Sequence, residues 1–150
     1  MALKLSTGLR DYIAATGSLR AAINGGFIKI YSGMAPASAD AALGSAGVNT
    51  LLVTISDDGE GDGLTFEATP ADGVLSKTTG QSWLGVNESS GLASFFRWVM
   101  TGDDGLASTS AIRMQGDVAT LNAELNLANP NLTSAAEQPI NHFFVAIPTP

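Results

Sequence analysis

The sequence predicts a mainly β fold: a β-sandwich or jelly-roll-like barrel of seven to nine short strands with a short N-terminal helical segment. Three observations lead there. Apolar residues recur at helical spacing only near the N-terminus, and from Phe27 onward they alternate with a period of two. The apolar runs are short, and clusters of Gly, Asp and Asn that favour turns separate them. No internal repeat stands out, which argues against a solenoid. At 150 residues the chain fits one domain, with residues 1–26 expected as a helical docking segment and 27–150 as the β-sandwich.

In the first segment Leu5, Leu9, Tyr12 and Ile13 recur at helical spacing, with Ser6 and Thr7 available as N-caps. After Gly17, Ser18 can cap a second short turn carrying Leu19, Ala22 and Ile23, which Gly25-Gly26 ends. Neither piece is long enough to be helical alone, so both must dock on the domain's own core or on a neighbour. Phe27 to Tyr31 reads as a strand with Ile28 and Ile30 on one face. Ser32 to Asn49 reads as a long surface arm with a helical turn at Ala39–Leu43, and loops of this length are commonly functional or mobile. Partial disorder until a neighbour covers it is the expectation.

Further strands are predicted over Thr50–Ile55, Leu64–Glu67, Val74–Ser76 and Ser82–Val86. Leu92–Met100 gives the clearest strand, carrying Phe95, Phe96, Trp98 and Val99. Ala111–Val118, Thr120–Leu127 and Pro139–Ile147 complete the set, and Pro148-Thr149-Pro150 stops the last. If Phe96 and Trp98 face outward, the pair suits a subunit interface. Arg97 then points inward, where burial requires a carboxylate or carbonyl partner.

Charge narrows the function. Hydrophobic residues make up 45% of the chain and charged ones only 14%, against about 25% in an average protein. So weakly charged a surface suits coverage by neighbouring subunits. It equally suits a stable β-domain with a Ser/Thr surface. The net charge is −7 and the seven basic residues form no run, which disfavours nucleic acid and anionic membranes as partners. Cysteine is absent, so disulfides and thiolate metal sites are excluded. No apolar run approaches the roughly 20 residues needed to span a bilayer. The N-terminus lacks the pattern of a signal peptide, so synthesis and retention in the cytoplasm until assembly or lysis are expected.

Candidate chemistry is sparse. Asp58-Gly59-Glu60-Gly61-Asp62-Gly63 matches the opening of a calcium loop, but Thr69 stands where a bidentate Glu is needed. An acidic turn is the better reading. Asp103-Asp104 could join it in space without any spacing that demands so. His142 is the only histidine, inside the apolar stretch Ile140–Ile147, and no serine motif nominates a catalytic partner. Trp83, Phe95, Phe96 and Trp98 fit a core better than a carbohydrate platform. Asn87-Glu88-Ser89 and Asn131-Leu132-Thr133 match the glycosylation pattern by chance. No enzyme is expected, and no catalytic, metal or cofactor site is assigned.

Several segments together carry a resemblance. They are residues 3–33, Pro36-Ala37-Ser38-Ala39-Asp40 and the strand ending near Ile55, followed by Gly73-Val74-Leu75-Ser76 and Phe96-Arg97-Trp98. Gly102-Asp103-Asp104-Gly105, Ile112-Arg113-Met114-Gln115-Gly116 and the closing residues His142 to Pro148 complete the series. In that order they cover nearly the whole chain, which resembles a family of small tailed-bacteriophage structural proteins. The resemblance implies a virion component, with a capsid decoration, or cement, protein on the outer capsid favoured over a tail, neck or fibre-associated one. A glycan-binding adhesin is the less favoured alternative. The implied partners are the major capsid protein and copies of the chain itself, as a homotrimer. The residues expected to make those contacts are Leu5, Leu9, Tyr12 and the arm Gly33 to Asn49.

Overall fold

A computed structural model describes residues 3–147, so the expected stop at Pro148-Thr149-Pro150 lies outside the described residues. In chain order these residues form β1 (Lys4–Leu5), α1 (Thr7–Ala15), α2 (Leu19–Ile23), β2 (Phe27–Tyr31), β3 (Leu51–Asp57), β4 (Val74–Ser76) and β5 (Trp83–Val86). Then come β6 (Gly91–Leu92), β7 (Phe95–Val99), β8 (Arg113–Ala119), β9 (Leu125–Asn126), β10 (Asn131–Leu132), β11 (Glu137–Pro139) and β12 (Phe144–Ala146). The fold is mainly β, as the alternation from Phe27 predicts, with the short helical segment at its N-terminal end.

Both helices start where their caps lie. The Ser6 hydroxyl accepts from the Leu9 amide at 3.2 Å, and the Ser18 hydroxyl from the Ala21 amide at 3.0 Å. Ser6 does more than cap. Its hydroxyl also donates to the Ala111 carbonyl at 2.7 Å and accepts from the Arg113 amide at 2.9 Å, fastening the helix start to β8. Leu5, expected within the helix, instead pairs with Met114 in β1. Being only nine and five residues long, the helices need tertiary support. Leu9, Leu19, Ala22 and Ile23 supply it by packing into the same core as the sheet.

Gly8 sits where α1 meets the 110–111 backbone. A Cβ there would collide with the carbonyls of Ser110 and Ala111, neither of which can swing away. Gly8→Ala is therefore expected to destabilise the protein by about 1–3 kcal/mol, although alanine is the better helix former by about 1 kcal/mol. Urea unfolding followed by tryptophan fluorescence gives the sign.

The main sheet runs β1-β8-β7-β2-β3-β5-β11, with β9 beside β8. Its pairs are antiparallel except the short β8–β9 pair. Register sets the two faces. Ile28 lies opposite Ile55 on one side and Trp98 on the other, and Trp98 lies opposite Met114. With Ile30, Val53 and Phe96 these side chains make the core face. Phe66, Leu75, Phe143 and Val145 form a second layer over it, held partly by the β4–β12 pair. At the centre Trp98 meets Phe66, Trp83 and Phe143 at ring-centroid distances of 5.1, 5.7 and 5.9 Å. Its indole N–H donates to the Ile23 carbonyl at 3.1 Å.

Phe96 and Trp98 therefore point into the core, not outward, and all four aromatics of the predicted cluster are buried. Several strands are shorter than expected. Leu64–Glu67 keeps only isolated bridges, because side chains occupy its backbone: Asn24 accepts from the Phe66 amide and Gln81 from the Thr65 amide. Leu92–Met100 breaks at Ala93-Ser94, whose amides turn to Pro130 and Tyr31. Of Thr120–Leu127 only Leu125–Asn126 is strand. Asn122 turns the chain at φ 57°, leaving Leu121 75% exposed. Pro139–Ile147 splits into β11 and β12, because Ile140 and Phe143 leave the extended path to enter the core. Two splits and the unpredicted β1 and β10, less the lost Leu64–Glu67 strand, bring the described residues to twelve strands rather than seven to nine.

Candidate interaction surface

The opposite face of the main sheet is also covered. Tyr31 on β2 stacks on Phe95 of β7, with ring centroids 5.2 Å apart. Arg97 on β7 and Arg113 and Gln115 on β8 share this face and are fully buried. What buries them is the chain from Ser32 to Asn49, lying across the sheet as an irregular strap. No helical turn forms at Ala39–Leu43. Each of these three polar side chains finds a strap carbonyl. Gln115 Nε2 donates to Pro36 O at 2.7 Å, Arg97 Nη2 to Ala41 O at 2.7 Å and Ser38 O at 3.2 Å, and Arg113 Nη1 to Ala39 O at 3.3 Å. The carbonyl partner that a buried Arg97 requires is thus supplied by the arm.

Other ties hold the strap's middle and its base. The Asp40 carboxylate accepts from the Thr7 amide at 2.8 Å and the Thr7 hydroxyl at 2.6 Å, capping α1 from outside. Lys4 Nζ donates to Ala37 O at 2.8 Å, and the Leu43 amide to Gly105 O at 2.9 Å. The buried Asn49 closes the base, donating to Met34 O at 2.8 Å and accepting from the Gly44 amide at 2.7 Å. These bonds replace the expectation of a disordered arm with an ordered one, because the sheet itself supplies the partners that a neighbouring subunit was expected to bring.

Asp103 completes the network. Its carboxylate takes Arg113 in a two-pronged pair at 2.6 and 2.9 Å, with both side chains almost fully buried, and accepts from the Gly105 amide at 2.8 Å. Burial alone would push its pKa up. The Arg113 bonds, the Gly105 amide and the charges of Arg113 and Arg97 outweigh that and hold it below the ordinary aspartate value. Asp40 is held low chiefly by its two bonds from Thr7. Ser6, Thr7, Asp40, Arg97, Asp103, Arg113 and Gln115 thus meet at one network around the strap.

The strap's outer side is unusually bare. Asp40 is the only charged residue between Gly33 and Asn49, and Thr7 occupies its carboxylate. Met34 is 84% exposed and Val48 55% exposed, among exposed Gly, Ala and Ser. The N-terminal half of the expected contact set does not join them. Leu9 is fully buried, while Leu5 and Tyr12 are half-buried and pack against the chain's own core.

The remaining candidates are dispersed. The 57–63 loop is a tight turn in which Asp58, Gly59 and Gly61 all have positive φ, and Asp57 accepts from the Ser82 amide. Among the described residues no three acidic or histidine side chains converge. Asp104 turns to the Leu106 amide. His142 is not within a strand. It lies exposed on an irregular stretch, stacked on Phe144 with centroids 6.4 Å apart. Both rim a groove of about 650 Å³, whose one lining carboxylate, Glu124, accepts from the Asp117 amide. Asn87 is buried, so its glycosylation pattern is inaccessible. No protein-family model, curated protein or solved structure matches the chain.

Proposed function

We propose that this protein is a non-enzymatic virion component of a tailed bacteriophage, a capsid decoration subunit that binds the assembled major capsid lattice on its outer surface. The observation that carries the reading is the strap: an ordered, nearly charge-free surface pinned by a buried polar network. A rigid apolar surface associates without the entropy loss that ordering a free loop would impose. In this reading the strap seats against the major capsid protein and neighbouring copies of the chain in a homotrimer. Binding only to the assembled shell stabilises it by mass action.

The test uses Met34→Asp with Val48→Asp. Both side chains are exposed, so the double variant is expected to keep the wild-type unfolding midpoint. Its incorporation into virions, read by gel densitometry of purified particles, is expected to fall at least tenfold. That loss corresponds to about 1.4 kcal/mol of binding. Cryo-electron microscopy of wild-type particles gives the placement. Density repeating with the capsid lattice is the expected result, and density confined to the tail, neck or fibres would overturn it. Removing residues 2–16 is a poor substitute, because it deletes β1, α1 and the Ser6 and Thr7 ties.

A further inference from the structure

The 650 Å³ groove rimmed by His142 and Phe144 has the size of a small-molecule site. Segment 123–129 forms one wall and segment 138–144 the other. Asn126, Asn129, Gln138, Asn141 and His142 bring four amides and an imidazole to it. Among the described residues no lysine or arginine lines it, so an anion finds no counter-charge. A cation finds only Glu124, one of whose oxygens is taken by the Asp117 amide. A wholly apolar ligand would cover the amides without replacing their bonds to water.

The walls are held from within. The Ile140 amide donates to Trp83 O at 2.7 Å, and the Asn126 side chain is bonded both ways with the Ala123 backbone at 3.2 Å. Asn129 Oδ1 accepts from the Asn131 amide at 3.0 Å, and Gln138 Nε2 donates to Pro139 O at 2.8 Å. These bonds leave Asn129 Nδ2 and Gln138 Oε1 over. No described residue hydrogen-bonds the side chain of Asn141 or His142. The groove thus offers both donors and acceptors from a fixed frame.

Its rim is aromatic. The His142 and Phe144 rings lie within 8° of parallel, and Phe144 is 59% exposed. The same ridge borders a second groove of about 330 Å³, to which Ser76 and Thr79 add hydroxyls. Lys77 lines that groove too, but its ammonium is committed to the Thr78 and Gln81 carbonyls. A sugar chain has the matching chemistry. Its hydroxyls both donate and accept, and the C–H face of each ring lies flat on an aromatic surface.

We propose that this double groove binds a neutral oligosaccharide of hexose or N-acetylhexosamine units. Phe144 is the stacking platform, and Asn129, Gln138, Asn141 and His142 meet the hydroxyls. Phe143, which lines both grooves, belongs to the layer over the core face, whereas the strap covers the opposite face of the main sheet. Sugar and strap contacts can therefore be made together, and the site does not depend on what the strap seats against.

His142 is the chain's only histidine, so its ring C–H signal in a proton–carbon NMR spectrum is a unique marker beside the ridge. The full chain is titrated with maltotriose, cellotriose or triacetylchitotriose to about 20 mM, enough to saturate a millimolar site. A hyaluronan tetrasaccharide is the charged control. The expected result is a saturable shift of the His142 signal with at least one neutral sugar. Phe144→Ala and Asn141→Ala alter exposed side chains, so both are expected to keep the wild-type Tm. Phe144→Ala should weaken binding about tenfold or more, and Asn141→Ala less. No shift with any of the three neutral sugars would overturn the proposal. So would a response to hyaluronan alone, which assigns an anionic ligand, or binding that Phe144→Ala leaves unchanged, which puts the sugar elsewhere.

Discussion

Asp103→Ala is expected to destabilise the protein by about 3–5 kcal/mol, the usual penalty for stranding one member of a buried ion pair. Arg113 would lose both prongs of its pair and remain enclosed beneath the strap. A domain of this size has only about 5–15 kcal/mol of stability in total, so the shift should be plain in urea unfolding. The companion variant separates stranded charge from lost packing. With Arg113→Met added, the double variant should recover most of the loss, because an apolar pair of similar volume is commonly neutral or better than the ion pair. Failure to recover would mean that the Arg113 bond to Ala39 O matters more than its charge.

The same pair sets an acid limit. A carboxylate whose pKa is lower folded than unfolded contributes stability that is fully present above its unfolded value of about 4. That contribution is lost as the pH falls through the lower, folded value. Asp103 and Asp40 both have that sign, so they weaken together below about pH 4. Tm measured from pH 7 to pH 3 should be flat with respect to these two groups until that point and then drop. Asp103→Asn, compared over the same range, should show a shallower acid drop from a lower starting value.

Trp98→Ala is the second large expected effect, a loss of about 3–5 kcal/mol. The indole joins the sheet's core face to Phe66 and Phe143 of the opposing layer, so truncation opens a cavity where the two layers meet. It also removes one of two donors to the Ile23 carbonyl at the end of α2, leaving the Gly26 amide at 3.2 Å. Trp98→Phe should lose less by keeping most ring contacts, while still removing the indole bond to that carbonyl. Urea denaturation of both variants, followed by far-UV circular dichroism, gives the comparison.

Local chemistry was legible in the sequence wherever a local rule decided the outcome. Ser6 and Ser18 announce their helices because capping involves residues three apart, and Ile28 and Ile30 announce their face because alternation is local. Leu64–Glu67 and Thr120–Leu127 misled because alternation persists where side chains from distant segments, or a turn at Asn122, have replaced the ladder. The strap shows the same limit. Ser32 to Asn49 has a loop's composition, and its order comes from Arg97, Arg113 and Gln115, which lie 56 to 79 residues further on than the carbonyls they hold. The visible signal was an arginine inside an apolar strand, which the structure places on the face opposite the core rather than on the inward face expected for it. It called for a carbonyl or carboxylate, but nothing local said whose.

How the strap is held has a consequence for change over time. The sheet grips it through the main-chain carbonyls of Pro36, Ser38, Ala39 and Ala41, which every residue type possesses. Among the strap's side chains, Asp40 and Asn49 are the ones engaged in fastening it. Positions such as Met34, Ala37, Ala42, Ala46 and Val48 can therefore be exchanged without loosening the strap. Fastening and exposure fall to different residues, so under the proposed reading the outer surface is free to track a drifting partner, or to be re-engineered as a display site, while the fold beneath it stays the same.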